Sequence, residues 1–494
     1  MSYVEFRSEP PASTYDSALT GKVASCNVDA NASFYPSTRF PRVFAIGDVH
    51  GDYAVLRACL LMTECVVESD SGVLSWRRGA GGVAIVVLGD VVDRFRRHPD
   101  IMTTVRDGMR ASLGEFKDEE LVALRLLNNL AAEAQRVGSA VFRLVGNHEI
   151  MQADERAGAA FSYASPFSMG IKLEEENTPV AALKQSARLS SFKAGAHGAE
   201  VAACNAKAVI QIGTHIFVHG GVNHHVVEHA NRWRRNLFDW ANELTTGFLN
   251  GTVGVDDPHF NTLVYRGGSK RDPSAPPGTP AGILWEDGLA DSSPAANEAV
   301  ACSAATGRLL QALNANLGFP EAAAHIVVAH CQQNLKPLYD GLRGQVPARL
   351  TMRSNRYVTH TTQGAEPRYR TSPPGDFQSV NTVCEGLIWR MDASMSRGFR
   401  MGGGLSVPGY LEAMRPVVLE VHAPSGSQVP EYSVHTWNRI LPPAPHQPAA
   451  PLLPALGDNE REFDEPKAQG AAEEEPAVTE GDSPDRTESY DDDE

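Results

Sequence analysis

Asp48 and His50 stand in Gly47-Asp48-Val49-His50-Gly51-Asp52, and Asp90 and Asp93 in Gly89-Asp90-Val91-Val92-Asp93-Arg94. Asn147 and His148 follow in Gly146-Asn147-His148-Glu149, and His219 in Val218-His219-Gly220-Gly221. Carboxylates, an amide and imidazoles set beside glycines are metal donors, and this mixture suits manganese, iron or zinc better than calcium. Two divalent cations about 3.5–4 Å apart can clamp the attacking and leaving oxygens of a phosphoryl transfer, given a bridging carboxylate. Asp48 and His50, two apart on one turn, can bind the first metal. Asp90 can bridge, and Asn147, His219 and a later histidine can hold the second. One Asp after Gly is ordinarily a turn residue, but four ordered blocks of this kind arise by chance roughly once in a hundred chains or less.

The elements that must position these residues are legible nearby. Val43 to Ile46, Val83 to Leu88, Ala140 to Val145 and His215 to Val218 are apolar runs that predict buried strands. Every candidate ligand then leaves the carboxyl end of a strand, where α/β sheets place their sites. Val55, Leu56, Cys59 and Leu60 predict a helix after the first strand. Leu121, Leu124, Leu127, Leu130, Ala131 and Ala134 predict another over 119–137, stopped by Gly138. Residues 208–218 read as a hairpin presenting His219. Ile326 to Ala329 predicts a strand delivering His330, and strands at Leu387 to Met391 and Val417 to Val421 complete the unit. Residues 250–294, rich in Gly, Pro, Asp and Ser, read as a loop-like insertion.

The chain has 494 residues, 42% of them hydrophobic, enough for one large core or two modest ones. It has no apolar run long enough for a membrane span and no secretory pattern at its start, which predicts an intracellular, cytoplasmic protein without membrane partners. Seven scattered cysteines without a CxxC pair predict reduced thiols. The formal charge of −16 is concentrated in Gly457 to Glu494, where sixteen Asp and Glu meet three Lys and Arg. The rest is nearly neutral, which argues against nucleic acid as a partner. The expected organisation is an irregular extension over 1–40, a catalytic domain over 41–440, and a Pro-rich then acidic disordered tail over 441–494.

The ordered set GDxHG, GDxxDR, GNHE, HGG and a distal His resembles the calcineurin-like metallophosphoesterases, and within them the phosphoprotein phosphatase family. The approach to HGG over Glu200 to Gly221 is similar to that of the Shewanella-like, bacterial-type protein phosphatases. The resemblance spans roughly residues 41–422. It implies an α/β fold, a β-sandwich flanked by helices with ligands at the carboxyl ends of strands. It also implies hydrolysis of phosphomonoesters, on phosphorylated protein or a small molecule, by hydroxide activated between two divalent metal ions. Asp48, His50 and Asp90 would hold one ion, and Asp90, Asn147, His219 and His330 of Val328-Ala329-His330-Cys331 the other. His148 would be the general acid and Asp93 its orienting partner. Arg94 would grip the phosphate, its planar fork matching the oxygens.

A second phosphate-binding arginine is placed at Arg266 in Leu263-Val264-Tyr265-Arg266-Gly267. A rival alignment uses Ile283-Leu284-Trp285-Glu286-Asp287, which has no arginine. Phe95 replaces the family's Gly after Asp93-Arg94. Dinucleoside polyphosphate and other nucleotide phosphohydrolases share these blocks and form the alternative reading, and an inactive binding scaffold with this fold is a lesser one. His224 and His225 read as spare exposed histidines, Gly402 to Gly404 as a turn, and Asp392 as a structural strand-end carboxylate.

Overall fold

The computed structural model describes residues 32–93, 119–154, 190, 192–267, 276, 278–290, 304–331, 356–358, 369–371, 381–383, 387–392, 416–422 and 430–436. The expected tail over 441–494, Gly402 to Gly404 and most of the expected extension over 1–40 lie outside these residues.

Two sheets carry the fold. In the first, β2 (Arg42–Ile46), β5 (Val83–Val87), β6 (Ala140–Leu144) and β7 (Ala206–Lys207) run parallel, and β15 (Val417–His422) with β16 (Glu431–Thr436) add antiparallel strands beyond β2. The second is centred on parallel strands β9 (His215–Val218), β10 (His325–Val328) and β14 (Ile388–Arg390). On one side it continues through β8 (Val209–Ile212) to β1 (Phe34–Tyr35), and on the other through β13 (Asn381–Val383) and β11 (Arg356–Val358) to β12 (Tyr369–Thr371). A separate hairpin joins β3 (Val66–Glu68) to β4 (Leu74–Trp76).

The period of two along the second sheet divides its residues between two cores. Ile210, Ile212, Phe217, Val327 and Trp389 join the first sheet's Phe44, Ile46, Ile85, Val87 and Phe142 in one cluster. Their neighbours Val209, Ile216, Val218, Ile326, Val328 and Ile388 face the other way into a second cluster. There they meet helices α5 (His224–Arg232), α6 (Leu237–Leu249) and α7 (Ala304–Leu317) through Val226, Phe238, Trp240 and Leu313. Tyr35 packs on Phe142 across the sandwich with ring centroids 4.8 Å apart. Each fully buried aliphatic or aromatic side chain contributes about 1.5–3 kcal/mol.

Helices α1 (Tyr53–Met62) and α2 (Glu119–Gln135) belong to the first core, through Leu56, Cys59 and Leu60 and through Leu124, Leu127 and Leu130. The predicted strands and both helices are therefore present with shifts of a residue or two. The described residues of 250–294 differ from a plain surface loop. A helical turn at Pro258–Phe260 runs into a π-helical segment at Asn261–Tyr265, and Phe260, Leu263, Val264, Ile283 and Leu284 are buried in the second core. Cys59, Cys65 and Cys331 are thiols, as expected, but Cys204 is disulfide-bonded. Linear cysteine spacing gives no sign of that pairing. Among the described residues no helix is long and apolar enough to cross a membrane.

Candidate metal centre and active site

Six parallel strands end at one place. In the first sheet β2 leads into Gly47 to His50, β5 into Gly89 to Asp93 and β6 into Gly146 to His148. In the second, β9 ends at His219, β10 leads to His330 and β14 to Asp392. Backbone hydrogen bonds tie the turns together: the His50 amide donates to Asp90 O at 2.8 Å and the Ala329 amide to His219 O at 2.7 Å. His50, Asp90, Asp93 and His330 all have positive φ, at 40°, 49°, 67° and 66°. Left-handed backbone at non-glycine residues costs about 1–3 kcal/mol each and persists where surrounding structure imposes it, commonly at functional sites.

Asp90 is the centre. Its Oδ1 accepts the His148 amide at 3.0 Å. Its Oδ2 is buried, has no well-aligned hydrogen-bond donor among the described residues, and faces His219 Nε2 at 3.4 Å, His50 Nε2 at 3.6 Å and His148 Nε2 at 3.7 Å. Burial alone would raise the Asp90 pKa, but the imidazoles of His219, His148 and His50 outweigh it and hold the carboxyl well below its ordinary value. Burial pushes His219 down, and the Asp90 carboxylate overcomes this and raises it. The pocket favours positive charge at its centre.

The far nitrogens of the histidines decide which atoms face inward. His50 Nδ1 lies 3.2 Å from Val92 O and 3.1 Å from Asp93 O, and His219 Nδ1 lies 2.9 Å from Leu88 O. A carbonyl accepts only, so each Nδ1 carries a proton, and with a cation bound beside Asp90 the neutral ring would present its Nε2 lone pair to it. Asn147 Oδ1 sits 2.9 Å from His219 Nε2 and 3.1 Å from His330 Nδ1. Three lone-pair atoms converging in a buried site fit a cation between them. Burial lowers the His330 pKa to about 4, keeping this ring neutral and able to ligate. Asp48 is fully buried beside the pair, its Oδ1 3.7 Å from His219 Nδ1 and its Oδ2 3.9 Å from His50 Nε2. Groups able to hold an ion are thus His50, Asp90 and His148; Asp48, Asp90 and His219; and Asp287, His330 and Cys331.

His148 stands at the start of α3 (Asn147–Ala153), its Nδ1 2.7 Å from Asp93 Oδ2, with both side chains buried. Arg94 lies outside the described residues. Arg266 closes the π-helical segment, and its carbonyl accepts the Gly282 amide at 2.8 Å. No hydrogen bond or ion pair joins its guanidinium to the Asp90 cluster among the described residues. His225 is near it: burial first, and then the Arg266 charge, lower the His225 pKa. His224 is exposed, whereas the Nε2 of His225 is buried. Asp392 is buried at the end of β14.

Two carboxylates that sequence reasoning passed over organise the site. Glu149 accepts the amides of Asp90 and Gly146 on Oε2, at 3.0 and 2.7 Å, and those of Val91 and Val92 on Oε1, at 2.7 and 3.1 Å. It thereby joins the turn after β5 to the turn after β6. Glu120, buried near the start of α2, accepts the Asp93 amide at 3.0 Å. The signal for Glu149 was its place within Gly-Asn-His-Glu; Glu120 had none.

Residues 41–260 match the model of the calcineurin-like phosphoesterase family. The chain is similar to Shewanella-like protein phosphatase 2 of Arabidopsis thaliana, 25% identical over 248 residues that cover 44% of this chain and 54% of that protein. An uncharacterised Schizosaccharomyces pombe protein is 33% identical over 127 residues, 26% of this chain and 29% of the relative. The match thus spans about half the length of the first of these curated relatives. Among solved structures, a cold-active protein-tyrosine phosphatase of a psychrophilic Shewanella species aligns over 81% of this chain and 82% of that one, at 15% identity and TM-score 0.38. A 1.1 Å structure of cold-active protein tyrosine phosphatase aligns over 81% and 80%, at 16% identity and TM-score 0.42.

Proposed function

We propose that this chain is a calcineurin-like phosphoesterase, a two-metal phosphomonoester hydrolase acting on phosphorylated protein side chains. The observation that carries the reading is the Asp90 carboxylate, buried and ringed by the Nε2 atoms of His219, His50 and His148 within 3.7 Å. Asp48, His50 and Asp90 would hold one cation, and Asp90, Asn147, His219 and His330 the other. When bound, such a pair supplies Lewis acidity to the phosphoryl oxygens and lowers the pKa of water.

The remaining work falls to the chain's own residues. His148 as imidazolium donates the Nε2 proton to the leaving oxygen, and Asp93 at 2.7 Å from Nδ1 stabilises that charged ring and fixes its orientation. Arg94, next to Asp93 in sequence, and Arg266 are assigned to the phosphate oxygens, where a guanidinium forms paired hydrogen bonds. Similarity to the Arabidopsis protein phosphatase supports phosphoprotein as the substrate class.

The test is an assay of the full chain, stripped of metal and supplied with manganese, on phosphotyrosine and phosphothreonine peptides, a diadenosine polyphosphate and a cyclic nucleotide. Metal-dependent turnover of a phosphopeptide is expected. Turnover of the diadenosine polyphosphate alone would transfer the site to the nucleotide phosphohydrolases.

A further inference from the structure

Of the three histidines assigned as metal ligands, the one from the second set that follows β10 is held differently from the other two. His50 and His219 rest their far nitrogens on backbone carbonyls, whereas His330 Nε2 lies 3.2 Å from Oδ1 of Asp287, a side-chain carboxylate. The route by which Asp287 reaches it runs through the two glycines after His219. A Cβ on Gly220 would lie 2.7 Å from Ile283 O, and one on Gly221 would lie 2.9 Å from Glu286 Cγ. Their bareness lets the 283–287 turn seat directly against the His219 turn, where the Gly221 amide donates to Ile283 O at 2.9 Å. Glu286 locks that turn by accepting from Asn223 Nδ2 at 2.5 Å and from the Gly288 amide at 2.8 Å. The Trp285 ring meets His330 edge-on, with centroids 5.7 Å apart and planes at 80°. Cys331 Sγ donates to the same Asp287 oxygen at 3.6 Å.

We propose that Asp287 is a positioning residue for the second cation, its carboxylate accepting from the Nε2–H of His330 and so keeping the proton on Nε2, with the Nδ1 lone pair pointing at the space beside Asn147 Oδ1. The inference rests on the two-cation reading above and adds to it a residue outside the ligand set. A carboxylate behind a ligating imidazole fixes the tautomer, orients the ring and raises ligand basicity, and loss of such a partner typically weakens metal affinity about 10- to 100-fold. Because this partner is a side chain, it can be altered without touching a ligand. The backbone carbonyls behind His50 and His219 cannot.

The experiment is manganese binding to the metal-free full chain, by titration calorimetry and by electron paramagnetic resonance of free manganese, in wild type, Asp287→Asn and Asp287→Ala. Asparagine keeps the volume and an acceptor but removes the charge, so a purely space-filling Asp287 would leave its binding curve unchanged. Expected are two equivalents in the wild type, and in Asp287→Asn one equivalent weakened about 10- to 100-fold with the other unchanged. Circular dichroism checks folding, and Asp287→Asn carries the test if the alanine variant does not fold. Two unchanged equivalents in Asp287→Asn, or equal weakening of both, would overturn the positioning role and leave the two-cation reading intact. Fewer than two equivalents in the wild type would overturn that reading and this role with it.

Discussion

His148 Nδ1 lies 2.7 Å from Asp93 Oδ2, in a pocket where both side chains are buried. The pair is placed by the ends of two strands, since Asp93 follows β5 and His148 follows β6. Replacing His148 with Asn is expected to lower turnover by about 10²–10⁴-fold, the usual range for loss of a general acid. Asp93→Asn should act in the same direction, because an amide does not stabilise the imidazolium. The loss in both variants should shrink on aryl phosphates, whose leaving groups need little protonation. Equal losses on aryl and alkyl phosphates would count against the acid role.

Gly146 separates the β6 strand from its ligands with no room for a side chain. A Cβ there would lie 2.1 Å from Asp90 Oδ1 and 2.5 Å from the Asp90 amide nitrogen. Gly146→Ala should therefore lose metal binding and lower the melting temperature. Gly307, on the exposed side of α7, has nothing within 4 Å of its would-be Cβ. Gly307→Ala should raise stability by about 0.5–1 kcal/mol, the cost of glycine in a helix interior. Thermal melts of the two variants side by side check both signs.

The four amides held by Glu149 all donate, so they require an acceptor on both oxygens. Glu149→Gln turns an NH2 group toward two of them and leaves buried donors unpaired, at about 1–3 kcal/mol per group. A drop in the urea midpoint with weaker metal binding is the expected outcome. Wild-type stability in this variant would show that the turns after β5 and β6 hold without the carboxylate.

Glu420 on β15 supplies a pH dependence remote from the centre. Burial would raise its pKa, but hydrogen bonds from His435 at 2.8 Å and Arg42 at 2.7 Å outweigh this and bring it down to about 2. A depressed carboxylate stabilises the fold above its unfolded-state value and loses that contribution as pH falls toward the folded one. The stability gap between wild type and Glu420→Gln should thus be full at neutral pH and close between about pH 4.5 and 2. Urea midpoints across that range check it, and a gap independent of pH would contradict it.

The strand ends were legible because Val43 to Ile46, Val83 to Leu88 and Ala140 to Val145 are continuous apolar runs, each stopped by a glycine next to a ligand. Such runs mark strands buried on both faces, and parallel order puts their carboxyl ends together. Asp287 was not legible, because its contact with His330 depends on two segments meeting in space. The rival alignments at 263–267 and 283–287 are neighbours in the fold, the Gly282 amide donating to Arg266 O at 2.8 Å and the Leu284 amide to Val264 O at 3.3 Å. Sequence offered them as alternatives, while in the fold they lie side by side. The buried residues of 250–294 escaped notice for a related reason. Phe260, Leu263 and Ile283 are too sparse to form a period, and each is buried by its neighbours in space.

The central claim is a pair of cations sharing the Asp90 carboxylate, and counting metal tests it most directly. After dialysis against metal-free buffer and reloading with manganese, elemental analysis of the wild type should return two equivalents per chain. Asp90→Asn should return neither tightly held, because a neutral amide cannot bridge two cations. Two tightly held equivalents in Asp90→Asn would contradict the account.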